Sequence, residues 1–225
     1  MSSRDNMRQK KLDLSLYLVL DPDLCGGIDG MVNTTRIAVA NGVTAVQLRA
    51  EHEFTRRDWY LAALALKQVL KDTTVPLLIN DQVDIALAVE ADGVHVGQKD
   101  LPVDVVRKLI GADKLLGLSI SNLQQINQVN WQKVDYLGIG PVFPTMTKQD
   151  AAPPLGITTL AELNQFKQCP AVAIGGINLQ NAAEVMQSGS DGIAVISAIC
   201  GQPNIPYATR QLYHVIEQAK QGIKK

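Results

Sequence analysis

Two carboxylates and two cations sit directly behind apolar runs in this sequence: Asp81 closes PLLIND, Asp100 closes GVHVGQKD, Arg49 closes VTAVQLR and Lys148 closes VDYLGIGPVFPTMTK. A pair of carboxylates, with water and phosphate oxygens filling the other positions, is a usual way to hold Mg2+. A guanidinium and an ammonium are the usual partners of phosphate oxygens. Together the four side chains point to a phosphorylated small molecule gripped through a divalent cation. Each residue alone also has a plainer reading. Asp81 and Asp100 could be caps of the helices that follow, Arg49 could pair with a neighbouring acid, and 144–148 could be an ordinary polar loop. Their joint position favours the site.

Other residues with the same placement extend the set. Gln47 and Arg49 are two apart on one strand and so share a face, predicted to be the mouth of the fold, where an amide and a planar charged fork could meet one anion. Thr145, Thr147 and Lys148 lie on a loop running to Gly156, of the kind that closes over a phosphate after substrate enters. Gly175-Gly176-Ile177 and Ile196-Ser197 follow the last two apolar runs, where glycine allows close backbone approach to an anion. Gly189 and Gly192 read more simply as turns. Ser119 ends the fifth run, with a solvated strand end as its plain alternative. Of the three histidines, His95 inside GVHVG reads as a packed or locally hydrogen-bonded residue, and His52 and His214 as surface residues. None has a nucleophile or an acid at catalytic spacing, so no triad is expected.

Delivering so many chemical groups to one place requires parallel strands buried on both faces, whose carboxyl ends share a site. The first such run is SLYLVLD (15–21), and helices are predicted at 31–41, 56–71, 83–90, 102–110, 121–130, 158–166, 178–188 and 206–222. Eight strands alternating with eight helices, at about 25 to 30 residues per unit, is the repeat of a (β/α)8 TIM barrel. An open doubly wound sheet shows the same alternation. The barrel is favoured because no GxGxxG follows the first strand and polar clusters recur at nearly every strand end. A polar N-terminal arm (1–14) and one barrel domain (15–225) are expected.

Composition is consistent with a large buried core, at 46% hydrophobic and 19% charged residues. A net charge of −1 gives no general attraction to nucleic acid or to an anionic membrane, so phosphate binding has to be local. Cys25, Cys169 and Cys200 are scattered, with no CxxC, and read as buried or idle thiols in a reducing cytosol. The basic start MSSRDNMRQKK is followed by no signal-like core, and a cytoplasmic location is expected. Oligomeric state is not legible.

Taken in order, VQLR, IND, GVHVGQKD, GLSIS, YLGIGPVFPTMTK, AIGGI and GIAVIS resemble the thiamine phosphate synthase family over roughly residues 15–200. The resemblance implies a (β/α)8 enzyme that joins a pyrimidine-methyl diphosphate to a thiazole phosphate, with or without a carboxyl group on the thiazole, and releases diphosphate. It also implies Mg2+ on Asp81 and Asp100. Gln47, Arg49, Asn80, Ser119 and Lys148 would hold the pyrimidine diphosphate, with Arg49, Ser119 and Lys148 carrying the chemistry. Thr145, Thr147, Gly176, Ile196 and Ser197 would hold the thiazole phosphate. The family route is dissociative, and the residues fit it by stabilising a leaving anion and supplying no nucleophile.

The chain departs from the family pattern at one place: where Gln-x-Arg-x-Lys is usual, it has Glu51. Each unit of charge about 5 Å from a diphosphate, at an effective dielectric of ~20, is worth ~3 kcal/mol before screening. Arg56 or Arg57 could supply the missing cation, Glu51 could face solvent, or the enzyme could be slow or repurposed. Two other functions stay open on the sequence. A thiazole tautomerase would share the barrel, but its characteristic histidine lies where this chain has Ser119-Ile120-Ser121. A phosphate-binding barrel without turnover is the other.

Overall fold

The run LYLVL is buried at all five positions and forms the first strand, β1 (Leu16–Leu20). Seven more follow: β2 (Ala45–Leu48), β3 (Leu77–Asn80), β4 (Gly93–Val96), β5 (Leu115–Ile120), β6 (Tyr136–Ile139), β7 (Ala171–Ile174) and β8 (Gly192–Val195). In the computed structural model, which describes residues 12–50, 54–145, 147 and 152–223, every strand pairs in parallel with the next, and β8 closes on β1. The result is a closed eight-stranded barrel. Glu51 and Lys148 lie outside the described residues, as do His52 and Met146.

Nine helices are described around it: α1 (Pro22–Cys25), α2 (Gly27–Val39), α3 (Arg56–Leu70), α4 (Val83–Ala88), α5 (Val103–Ile110), α6 (Leu123–Asn127), α7 (Gly156–Phe166), α8 (Ala182–Gln187) and α9 (Ile205–Ile223). Local chemistry explains where several begin. Thr55 and Asp58 form a reciprocal capping box on α3, and the Asn122 side chain accepts from Gln125 N at 2.9 Å to start α6. Three predicted helices are corrected by local caps and turns. The 121–130 helix shortens to α6 because Ser121 and Asn122 are spent on its entry. The 178–188 helix shortens to α8 because Asn178 N donates to Asn181 Oδ1 in a turn before it. The 31–41 helix instead starts earlier, at Gly27, after Gly26 and Gly27 take φ of 80° and 81°. Helix α1 was not foreseen at all.

The amino-terminal end of the barrel is latched by a repeated device. Asp92, Asp135 and Asp191 each stand just before an even-numbered strand, and each accepts the first free N–H of the strand before it. The donors are Leu77 N, Leu116 N and Ala171 N, all at 2.8 Å. These bonds satisfy strand-end donors that would otherwise be buried without partners. Cations complete two of the latches: Arg107 Nη2 lies 2.5 Å from Asp135, and Lys167 Nζ 2.6 Å from Asp191. Gly192, expected in a turn, instead opens β8. A Cβ there would lie 1.8 Å from the Leu14 carbonyl oxygen, so close backbone approach is what demands glycine.

Candidate active site

All sequence-predicted site residues within the described part of the chain lie at or just beyond the carboxyl ends of strands. This is the face on which barrel enzymes place their chemistry. Gln47 is in β2 and Arg49 follows it; Asn80 ends β3 and Asp81 follows; Asp100 comes after β4; Ser119 is in β5. Thr145 and Thr147 come after β6, Gly176 after β7, and Ile196 and Ser197 after β8.

The loops after β2 and β6 meet across the mouth. Arg49 Nη1 donates to the Thr147 carbonyl at 3.1 Å. On the same loop Thr145 Oγ1 and Thr147 Oγ1 are 3.0 Å apart. The loop is stapled at both ends: Phe143 N donates to Gly175 O at 3.0 Å, Leu155 N to Pro141 O at 2.8 Å and Gly156 N to Val142 O at 2.9 Å. Gly176 makes this junction possible. Its φ is 65°, and a Cβ there would sit 2.6 Å from Pro144 O and 2.7 Å from Phe143 Cβ.

After β7 and β8 backbone carbonyls are taken up locally. Asn181 Nδ2 takes up the Gly176 carbonyl at 3.0 Å, and a turn binds Cys200 N to Ile196 O at 2.8 Å. Among the described residues, no acceptor receives the N–H of Gly176 or Ser197. Ser197 is exposed while Ile196 is buried beneath it.

On the acidic side, Asp81 holds φ of 57°, a left-handed conformation that few non-glycine residues adopt, though Asp tolerates it better than most. Its amide donates to His95 O at 2.9 Å, tying the end of β3 to β4, and its Oδ2 accepts from Asn80 Nδ2 at 2.6 Å. The cap reading for Asp81 is overturned, since Gln82 occupies the N-cap of α4 with no side-chain bond. Asp100 is exposed and accepts from Gly97 N at 2.7 Å, and Pro102, not Asp100, is the N-cap of α5. Among the described residues, no group of three His, Cys, Asp or Glu could hold a metal. Asp81 and Asp100, on neighbouring strand ends, are oxygen donors that could hold a cation together with water and substrate oxygens. Hard oxygen donors of this kind match Mg2+. Arg56, considered as a replacement cation, is engaged with Asp84 and the Gln82 side chain, on the segment that follows Asp81.

Beneath the mouth lies a network the sequence reading missed. Gln47 does not turn its amide to the mouth beside Arg49; it is 4% exposed and its Nε2 donates to Tyr17 OH at 2.7 Å. Tyr17 OH lies 2.9 Å from Tyr136 OH, Tyr136 OH lies 2.9 Å from His95 Nδ1, and His95 Nε2 lies 2.9 Å from Ser119 Oγ. Local hydrogen bonding was expected of His95, but an imidazole against Ser119 was not. Ser119 is also not merely solvated, being half-buried and bonded. Burial pushes both phenols well above their ordinary pKa despite hydrogen bonds at Tyr17 that act the other way, so both keep their protons. Inward alternation on β4 was the available signal: Gly93, His95 and Gly97 share one face.

Glycine makes room for the network. A Cβ on Gly117 would lie 2.2 Å from Tyr136 Cζ and 2.4 Å from His95 Nδ1. Gly117→Ala is therefore expected to destabilise by on the order of 1–3 kcal/mol through overpacking. A lowered denaturant midpoint would check it; wild-type stability would mean that the interior gives way freely.

Comparison with known proteins bears on the family and the fold. Residues 16–199 match the thiamine monophosphate synthase family. The chain is 51% identical over 205 residues to the thiamine-phosphate synthase of Laribacter hongkongensis, covering 91% of this chain and 96% of that protein. It is 47% identical over 201 residues to that of Chloroflexus aurantiacus, covering 89% and 92%. The solved thiamine phosphate pyrophosphorylase of Pyrococcus furiosus superposes with a TM-score of 0.83 at 36% identity, covering 92% of this chain and 98% of that one. With its barrel matched almost from end to end in both sequence and fold, the chain belongs to the thiamine monophosphate synthase family.

Proposed function

We propose that the mouth of this barrel performs a dissociative substitution in which a pyrimidine-methyl diphosphate loses diphosphate before a thiazole phosphate is captured. The activity itself follows from family membership: the chain is a transferase that forms thiamine phosphate and releases diphosphate. The observation that best supports the proposed arrangement is the reach of Arg49 from β2 to the Thr147 carbonyl, one residue before Lys148. It brings the guanidinium that follows β2 against the loop that follows β6.

In this reading Arg49, Asn80, Lys148 and the Ser119 hydroxyl hold the diphosphate, and Gln47 lines the floor beneath the pyrimidine. Asp81 and Asp100 hold Mg2+, which when bound would neutralise charge on the departing diphosphate. Thr145, Thr147 and the backbone at Gly176, Ile196 and Ser197 receive the thiazole phosphate, as loops after the last two strands of such barrels often do. The C–O bond breaks with its electron pair going to diphosphate, and the thiazole nitrogen lone pair forms the new C–N bond. No protein nucleophile is needed, and the residues act by preorganised charge. No described helix is long and apolar enough to cross a membrane; a cytoplasmic enzyme acting on two small phosphorylated substrates, with no nucleic-acid partner, fits this chemistry.

The test is diphosphate release on mixing both substrates with Mg2+, compared with Lys148→Ala. Loss of one charged contact to the leaving group is expected to slow turnover ~100-fold or more. Unchanged turnover in that variant would remove Lys148 from the site.

A further inference from the structure

The five-residue network under the mouth has a direction. Gln47 Nε2 is a pure donor and gives a proton to Tyr17 OH at 2.7 Å. The Tyr17 phenol is wholly buried, and the partner left for its own proton is Tyr136 OH at 2.9 Å. If Tyr136 donated to Tyr17 instead, the Tyr17 proton would be buried without an acceptor, an arrangement folded proteins avoid. Tyr136, having accepted, donates onward to His95 Nδ1 at 2.9 Å. His95 then carries its proton on Nε2 and donates it to Ser119 Oγ at 2.9 Å. The Ser119 proton is thereby released to point elsewhere.

We infer that Tyr136 is a positioning residue that acts through His95, fixing the neutral Nε2–H tautomer so that the Ser119 hydroxyl serves as a hydrogen-bond donor toward the mouth. The inference rests on the proposed role of Ser119 as a ligand of the diphosphate. An anion of that kind only accepts hydrogen bonds, and a serine held as donor suits it, whereas a serine donating to histidine would offer the anion a lone pair. The two ends of the network are Gln47 on β2 and Ser119 on β5, so an amide orientation on one side of the barrel sets the polarity of a hydroxyl on the other. The tilted stack of the His95 and Tyr136 rings, with centroids 5.4 Å apart, and the space left by Gly117 hold the central pair in place.

The experiment is long-range proton–nitrogen correlation NMR on the 15N-labelled protein at about pH 8, where an ordinary histidine is neutral. Signals of His95 are assigned by their loss in His95→Asn. The expected wild-type spectrum shows His95 as the Nε2–H tautomer, and Tyr136→Phe shifts it toward a mixture. The same variant is expected to lower kcat roughly tenfold, with the KM for the thiazole phosphate unchanged, as for loss of one hydrogen bond's worth of orientation. An Nδ1–H tautomer or an imidazolium in the wild type would overturn the inference without any variant. So would a tautomer that ignores Tyr136→Phe, or one that responds while kcat stays at the wild-type value. Ser119→Ala separates the two layers of argument: full activity there would remove Ser119 from the diphosphate site, whatever the tautomer of His95.

Discussion

Asp81→Asn and Asp100→Asn should each lower turnover by about 100- to 1000-fold while leaving the fold intact. Removing one preorganised charge from the place where a leaving group gathers negative charge has effects of that size. Asparagine is chosen over alanine for a structural reason. Asp81 sits at φ of 57°, which Asn tolerates and Ala does not, so Asp81→Ala would add a backbone cost of about 1 kcal/mol to the loss of charge. The amide oxygen also keeps the local bonds, accepting from Asn80 Nδ2 in one case and Gly97 N in the other. What changes is the charge available to a cation. The Mg2+ concentration giving half-maximal rate should therefore rise in both variants, and raised Mg2+ should recover part of the lost rate. Normal turnover at unchanged Mg2+ demand in both would show that the acidic pair does not serve the leaving group. A lost rate accompanied by an altered denaturation profile would instead assign the residues to the rim's architecture.

The barrel was legible because its strands are buried on both faces, and LYLVL or AVAI cannot be so apolar in a solvated loop. The placement of Asp81, Asp100, Arg49 and Ser197 at strand ends followed from the same pattern. Helix bounds were less legible because short polar side chains next to a helix can either join it or cap it. Ser121, Asn122 and Asn178 cap or turn. The buried network was not legible at all. Tyr17 and Tyr136 are 119 residues apart, and their hydroxyls meet only because the barrel closes. Gln47 was expected to face the mouth beside Arg49, but direction along the strand axis is not encoded in alternation, and its amide instead donates to Tyr17 OH. The aspartates before β4, β6 and β8 were not singled out in the sequence, because only the closed barrel shows that each one holds the strand before it.

The largest purely structural effect should come from the opposite end of the barrel. Arg107 is 7% exposed, and its guanidinium donates to the carbonyls of Lys133, Gly111 and Lys114 as well as to Asp135 Oδ2. Asp135 in turn holds Leu116 N, near the start of β5, at 2.8 Å. Arg107→Ala leaves three carbonyls short of a donor and takes the guanidinium away from one largely buried carboxylate. Breaking such a pair by removing one partner typically costs 3–5 kcal/mol. Arg107→Lys should recover little, because an ammonium cannot span carbonyls and carboxylate in the plane that the guanidinium occupies. The measurement is urea denaturation at neutral pH beside steady-state kinetics at a temperature where both variants remain folded. A midpoint drop of that size with kcat and both KM values near wild type is expected, since the latch lies at the amino-terminal ends of the strands and the chemistry at their carboxyl ends. If stability held and catalysis failed, the division of the barrel into a latching end and a reacting end would be wrong.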